Sequence, residues 1–295
     1  MFRNLRVRRE PQKFAPDSLQ VSIGEIISDA SIPVSIRSIN NLPDNAKRRL
    51  YRALIPIGLL TRFRINPRSW KGPGGSDQVD LFAKPESGLV NLSIWNGEDR
   101  DDPFFTIELE DNSLNGIDLN LLVLSDPDAP RFQTDFDDTG ARTEFGTVRR
   151  NLDAEERAMM AGLAPGQTRA GLRASSEVFS HLESFLTLLA HHAYFLEPLS
   201  YASAWVFERR GFAYVRGHKL MDEIHEQFQP EGRLHRELEE STPFRVQDQW
   251  NSVRGRAWAI HDGILEVLDT RWDGLRMIKQ VGRHAGAETF PGAKY

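Results

Sequence analysis

The chain has 295 residues, 40% of them apolar, with a formal net charge of −5, enough length for one large domain or two of ordinary size. It contains no cysteine, which excludes disulfides, cysteine nucleophiles, Fe-S clusters and Cys-ligated zinc and leaves any divalent metal to histidine and carboxylate. The acidic balance argues against general nucleic-acid binding, because such binders carry a basic excess to displace phosphate counterions.

Residues 1–16 read as a flexible basic arm (MFRNLRVRREPQKFAP), bounded by Pro11 and Pro16. No apolar run follows it and no window reaches the roughly 18 apolar residues of a membrane span, so a soluble cytoplasmic protein is expected. Asp17 or Ser18 is placed to cap a short helix through Ile27, and SIPVSIRSIN reads as a brief extended run. Pro43 sits near the first position of a helix that turns Leu50, Tyr51, Leu54 and Leu60 inward, and Pro56 should split it. Its polar face carries Lys47, Arg48, Arg49 and Arg52, a basic helix (47–52) that suits an acidic protein partner. Residues 66–78 form a Gly- and Pro-rich loop without the GK[ST] of a phosphate-binding loop.

From Val79 to about Phe132 the apolar period changes to two: Val90, Leu92 and Ile94, then Phe105, Ile107 and Leu109, then Ile117, Leu119, Leu121 and Val123. Asn115-Gly116 marks a hairpin turn, and the whole stretch reads as an antiparallel β-meander. The segment 98–138 holds thirteen acidic residues against Arg100 and Arg131. It is strand-end loop or a second surface for a protein partner, this one basic. Within it, Asp126–Pro130 resembles the DPDAP loop of phosphatidylethanolamine-binding proteins, and Asp135–Gly140 resembles the opening of an EF-hand loop whose twelfth position is here Gly146.

A boundary is expected near 148–152, dividing an α+β domain (17–150) with the antiparallel sheet from a mainly helical, histidine-bearing domain (151–295). In the second half the periodicity predicts helices from Asp153 to Met160, from Ser175 onward until Pro198, from about Ser200 to Arg210, over Lys219–Phe228 and over Arg233–Glu240. The stretch 260–281 is compatible with either a hairpin turning at Asp273-Gly274 or a continued helix. The fold class expected is therefore α+β, with an N-terminal meander and a mainly helical C-terminal half.

All eight histidines lie between His181 and His284. Glu177 and His181, at i and i+4, can share an ion, and His218, Asp222 and His225 form one stripe at i, i+4 and i+7. If the two helices pack antiparallel, Glu177, His181, His218, Asp222 and His225 are the candidate ligands of a divalent metal, as in carboxylate-bridged bundles.

ASAWVFERRGF (Ala202–Phe212) resembles a late motif of the GNAT N-acetyltransferases, a helix ending in a tyrosine-glutamate pair that runs into Gly-Phe and a strand. Glu208, Gly211 and Phe212 match, and Phe207 stands where the family's acid tyrosine sits. The resemblance implies an acyl-CoA substrate, yet the family's pyrophosphate loop is not recognisable where Gly166 and Gly171 flank QTRA. With every catalytic motif partial, the reading placed first is a binding or assembly protein; a His/carboxylate metal oxidoreductase and a divergent GNAT-like acyltransferase are the alternatives. The oligomeric state is left open.

Overall fold

The computed structural model describes residues 34–97, 100–142 and 149–295, so the basic arm and the helix expected before Ile27 lie outside the described residues. The first described element is helix α1 (Ile36–Asn40). Ser35 caps it through a reciprocal bond with Ser38, and Asp111, 75 residues from Ile36, accepts the Ile36 and Arg37 N–H groups at 2.8 Å each. The extended run expected here is thus a helix: β-branched residues argued for a strand, but a remote carboxylate satisfies the orphan donors of the first turn. Helix α2 (Asp44–Tyr51) passes through a 3-10 turn (Arg52–Leu54) to α3 (Ile57–Arg62), and the break falls at Pro56 as expected.

Strands β1 (Val79–Phe82), β2 (Leu89–Ile94), β3 (Phe105–Asp111) and β4 (Ile117–Leu124) form the antiparallel meander. Val90, Leu92 and Ile94 face the core in strict alternation. At the β3–β4 turn Asn115 takes φ 55°, and the Asn112 side chain accepts the Leu114 and Gly116 N–H groups. The pairing slips once: Glu108 opposes Leu121 but Leu109 opposes Leu119, so Asn120 is an extra residue bulged out of β4.

Helix α4 (Leu152–Met160) is capped by Asn151, and α5 (Ser175–Leu188) is the longest helix among the described residues. There the expectation of a mainly helical half needs correcting. Helix α5 stops ten residues before Pro198, Ala190 turns the chain with φ 60°, and β5 (Ala193–Leu196) follows. After α6 (Tyr201–Arg209) come β6 (Ala213–Arg216), α7 (His218–Gln227), α8 (Arg233–Arg236), α9 (Val253–His261) and β7 (Arg276–Gln280). Strands this short do not displace a helical period in an eleven-residue window, which is why the pattern missed them. The expected helix over Arg233–Glu240 shrinks to four residues, and 260–281 is neither a hairpin nor one helix. A 3-10 turn (Ile264–Leu268) ends at Asp269 with φ 52°, and β7 then pairs with β5 and β6.

The architecture is α+β around one mostly antiparallel sheet of order β1-β2-β3-β4-β5-β7-β6. Strands from both sides of residue 150 share it, and the described residues fall in one compact unit. No helix among them is long and apolar enough to cross a membrane.

Glu208, fully buried on α6, ties the last segment of the chain to this frame. Its carboxylate accepts the Tyr214 hydroxyl at 2.6 Å, the Thr289 hydroxyl at 2.6 Å and the Thr289 N–H at 3.1 Å. Gly211 takes φ 84° directly beneath this segment, where a Cβ would lie 2.8 Å from His284 Cα. Glu208→Ala strands these donors away from water, and urea unfolding should show a loss of about 2–4 kcal/mol, with Glu208→Gln recovering part of it.

Candidate functional site

Among the described residues the sheet has one parallel pairing, between β4 and β5. Strands β4 and β5 are in register only at Asp118 and Phe195, so β4 continues past the end of β5 without that neighbour. At its far end β4 meets the chain leading into α5, through Leu172 N–H to Leu124 C=O at 3.2 Å and Asp126 N–H to Ala170 C=O at 2.7 Å. Between these two closures, strand alternation turns the N–H and C=O of Leu122 away from β3 and into the opening. The Asn120 bulge lies at its foot.

Helix α5 starts directly beyond the upper closure. Its N-cap, Ala174, supplies no side-chain bond, while Arg210 donates to the hydroxyls of Ser175 and Ser176 and Arg173 precedes it with φ 57°. Two hydroxyls and guanidinium charge at the start of a fourteen-residue helix favour an anion, against the acidic Glu177 in the same turn. On β4's distal end a cleft of about 320 Å³ gathers Arg131, Arg142 and Arg169 beside Asp102 and Asp135. Asp102 binds Arg169 at 2.6 Å, and Asp135 binds Arg131 at 2.7 Å.

A second cleft, of about 460 Å³, lies where the chain leaves β5 and enters β7. Glu197, Tyr201, His261, Arg271, Trp272 and Asp273 line it. Trp272 is fixed by its indole N–H to the Pro198 carbonyl at 3.1 Å and by an edge contact with Tyr201. Behind His261 stands a charge network. Glu155 accepts from His261 Nε2 at 3.0 Å and from Arg150 Nε at 2.8 Å, and Arg150 continues to Asp262 at 3.1 Å. Burial opposes ionisation of Glu155, but the bonds and charges of His261 and Arg150 outweigh it and hold the carboxyl below its ordinary range.

Arg256, next in the chain to the cleft-lining Ala257, is fully buried, its guanidinium 3.5 Å from the Phe290 ring centroid. Nη1 donates to the Tyr201 hydroxyl at 3.3 Å and to His225 Nδ1 at 3.2 Å, while Nη2 has no partner among the described residues. No carboxylate is paired with Arg256 among them either. Sequence reasoning missed this group because an arginine in RGRAW carries no sign that it is buried.

The five candidate metal ligands are dispersed among other tasks. His218 and Asp222 do meet, Nδ1 to Oδ2 at 3.2 Å, with both side chains about half exposed. His225 faces Arg256. His181 Nδ1 donates to the Ala53 carbonyl at 3.0 Å, and Glu177 lies beside Gly58 on α3. Among the described residues no group of three or more His, Asp or Glu is arranged to hold a metal ion. The EF-hand-like carboxylates turn inward: Asp137 accepts from Thr139 and Ala141, and Asp135 is bound by Arg131. The Asp126 segment is a turn, with Asp126 accepting the Asp128 N–H at its side chain and the Ala129 N–H at its carbonyl. Lys47 of the basic helix is buried and bonds the Ala83 carbonyl, and Arg62 reaches Asp126 of the acidic segment at 3.4 Å.

No protein-family model matches this chain, and neither a curated protein nor a solved structure matches it significantly.

His225 can accept from Arg256 only as the neutral imidazole. Burial first, and then the Arg256 charge, push its pKa below the ordinary histidine value, against weaker opposing effects of Asp222 and Glu226. The unfolded chain therefore binds this proton more readily than the folded one, and the stabilisation present above about pH 6.5 is lost as the pH falls. The melting temperature should drop between about pH 7.5 and about pH 5.5, and His225→Gln should flatten that drop.

Proposed function

We propose that this protein is a divergent GNAT-like acyltransferase that holds an acyl-CoA in the opening between β4 and β5. The observation that carries the reading is the strand order β1-β2-β3-β4-β5-β7-β6 with its single parallel pair touching at Asp118 and Phe195 alone. A splayed parallel pair leaves strand-edge amide groups facing a gap, and the amide-bearing arm of coenzyme A is an extended chain able to pair with them, in the manner of an added strand. The N-terminus of α5, with Ser175, Ser176 and Arg210, stands at the end of β4 where a pyrophosphate would lie.

The late motif supports the same reading from the sequence side. Helix α6 carries Glu208 and ends before Gly211, and Phe212 leads into β6. The departure at Phe207 has a physical counterpart: its ring packs 5.2 Å from Phe212 and 6.2 Å from Phe179, a contact in which a hydroxyl would have no role. The leaving thiolate must then take its proton from another group. A binding or assembly role, placed first on sequence alone, does not account for the splayed strands.

Saturating acetyl-CoA should raise the melting temperature. At a hundredfold excess over Kd the expected stabilisation is about 2.7 kcal/mol, or about 5–10 °C for a domain of this size. Ser176→Glu places a negative charge at the start of α5, which helices tolerate well but a pyrophosphate does not. This variant should melt like the parent without ligand and lose the acetyl-CoA shift. An unchanged melting temperature of the parent at saturating acetyl-CoA overturns the reading.

A further inference from the structure

We infer that the cleft between the end of β5 and the start of β7 takes a small zwitterion of the amino-acid class, with an apolar or aromatic side chain, as the amine to be acylated. The acceptor role rests on the acyl-CoA reading above; binding of the zwitterion itself does not.

Position is the first argument. Arg276 Nη2 binds both Asp118 carboxylate oxygens at 2.8 and 2.9 Å, and its Nη1 binds Glu197 at 3.1 Å. Glu197 lines the cleft and Asp118 is the foot of the β4–β5 opening, so one guanidinium ties the rim of the cleft to the place where the strands part. The volume, about 460 Å³, falls in the range of about 300–1,000 Å³ that small-molecule sites occupy.

Charge is the second argument, and it gives the ligand class. Asp273, which lines the cleft, favours an ammonium group, and Glu197, although paired with Arg276, adds negative charge on the side of the opening. Arg271, which also lines the cleft, favours a carboxylate. Arg256 is an independent sign: it is fully buried and, among the described residues, has no acidic partner and no partner for Nη2. Its Nη1 donates to the hydroxyl of Tyr201, a residue that lines the cleft. Both charge signs in one cavity are complementary to a molecule that carries both. The walls, Trp272 and the exposed Leu199, supply apolar surface for its side chain.

In the transfer the amine nitrogen forms a bond to the thioester carbonyl carbon and the carbon–sulfur bond breaks. Of the two protons the ammonium gives up, one ends on the CoA sulfur and one in solvent, leaving the N-acyl amino acid.

The test titrates the full chain, without acyl-CoA, with L-phenylalanine, phenethylamine and 3-phenylpropionate by calorimetry. L-phenylalanine should bind at least about tenfold more tightly than either compound that lacks one charge. Arg271→Gln should weaken L-phenylalanine and abolish its advantage over phenethylamine; Asp273→Asn should abolish its advantage over 3-phenylpropionate. Both side chains are exposed, so the variants should melt like the parent. Equal binding of the three compounds, no binding of L-phenylalanine, or unchanged discrimination in both variants overturns the inference, whatever acetyl-CoA does. Thiol release from acetyl-CoA on adding L-phenylalanine then tests the acceptor role. If L-phenylalanine binds, acetyl-CoA binds, and no thiol is released, the acceptor role fails while the cleft remains a zwitterion site.

Discussion

The contact between Asp118 of β4 and Phe195 of β5 is the constraint on which the rest of the molecule depends. It joins a four-stranded meander to a three-stranded group, and it does so in parallel through one residue pair. A single parallel register contributes little main-chain bonding, so side chains hold the junction. Arg276 reaches across from β7 to bind Asp118 with two bonds and lies over the Phe195 ring at 5.1 Å. Half-buried ion pairs with two bonds to one carboxylate are worth more than exposed ones because less side-chain freedom and less solvent screening work against them. The brevity of the junction is also what frees the distal half of β4, so the same economy that joins the sheet opens the candidate site.

Charge in this chain is compensated over long sequence distances. The acidic segment that reads as one continuous surface is distributed in space: Asp102 serves Arg131 and Arg169, Asp118 serves Arg276, Asp126 serves Arg62, and Asp111 caps α1. Acidity concentrated in sequence thus becomes a set of separate anchors for helices and loops that come from both ends of the described chain. Buried polar groups follow a second rule. Glu208 is satisfied by three donors and fastens the C-terminal segment. Among the described residues Arg256 lacks a partner for Nη2, and a buried donor left without one costs free energy.

Much of the local structure was legible in the sequence. The α+β class, the meander with its Asn115 turn, the Pro56 break and the helices near 153–160 and 219–228 all follow from periodicity, capping and turn chemistry, which act between residues close along the chain. The metal stripe was also a local deduction; His218 and Asp222 meet at i and i+4, as helix geometry places them. The other residues of that proposed group went elsewhere because His225 and His181 found partners on distant elements, Arg256 and the Ala53 carbonyl.

What the sequence determined by itself was the set of elements whose stability is decided within a few turns of chain. What only the tertiary structure decided was their arrangement: that AYFL and AYVR are strands, that β7 lies between β5 and β6, and that β4 meets β5 at one residue pair. Four-residue strands have too little periodicity of their own to be read and are stabilised by distant partners, as Ala193 is by Gln280. The candidate site belongs to this second category, because an opening between strands is a property of their separation, which no stretch of sequence encodes alone.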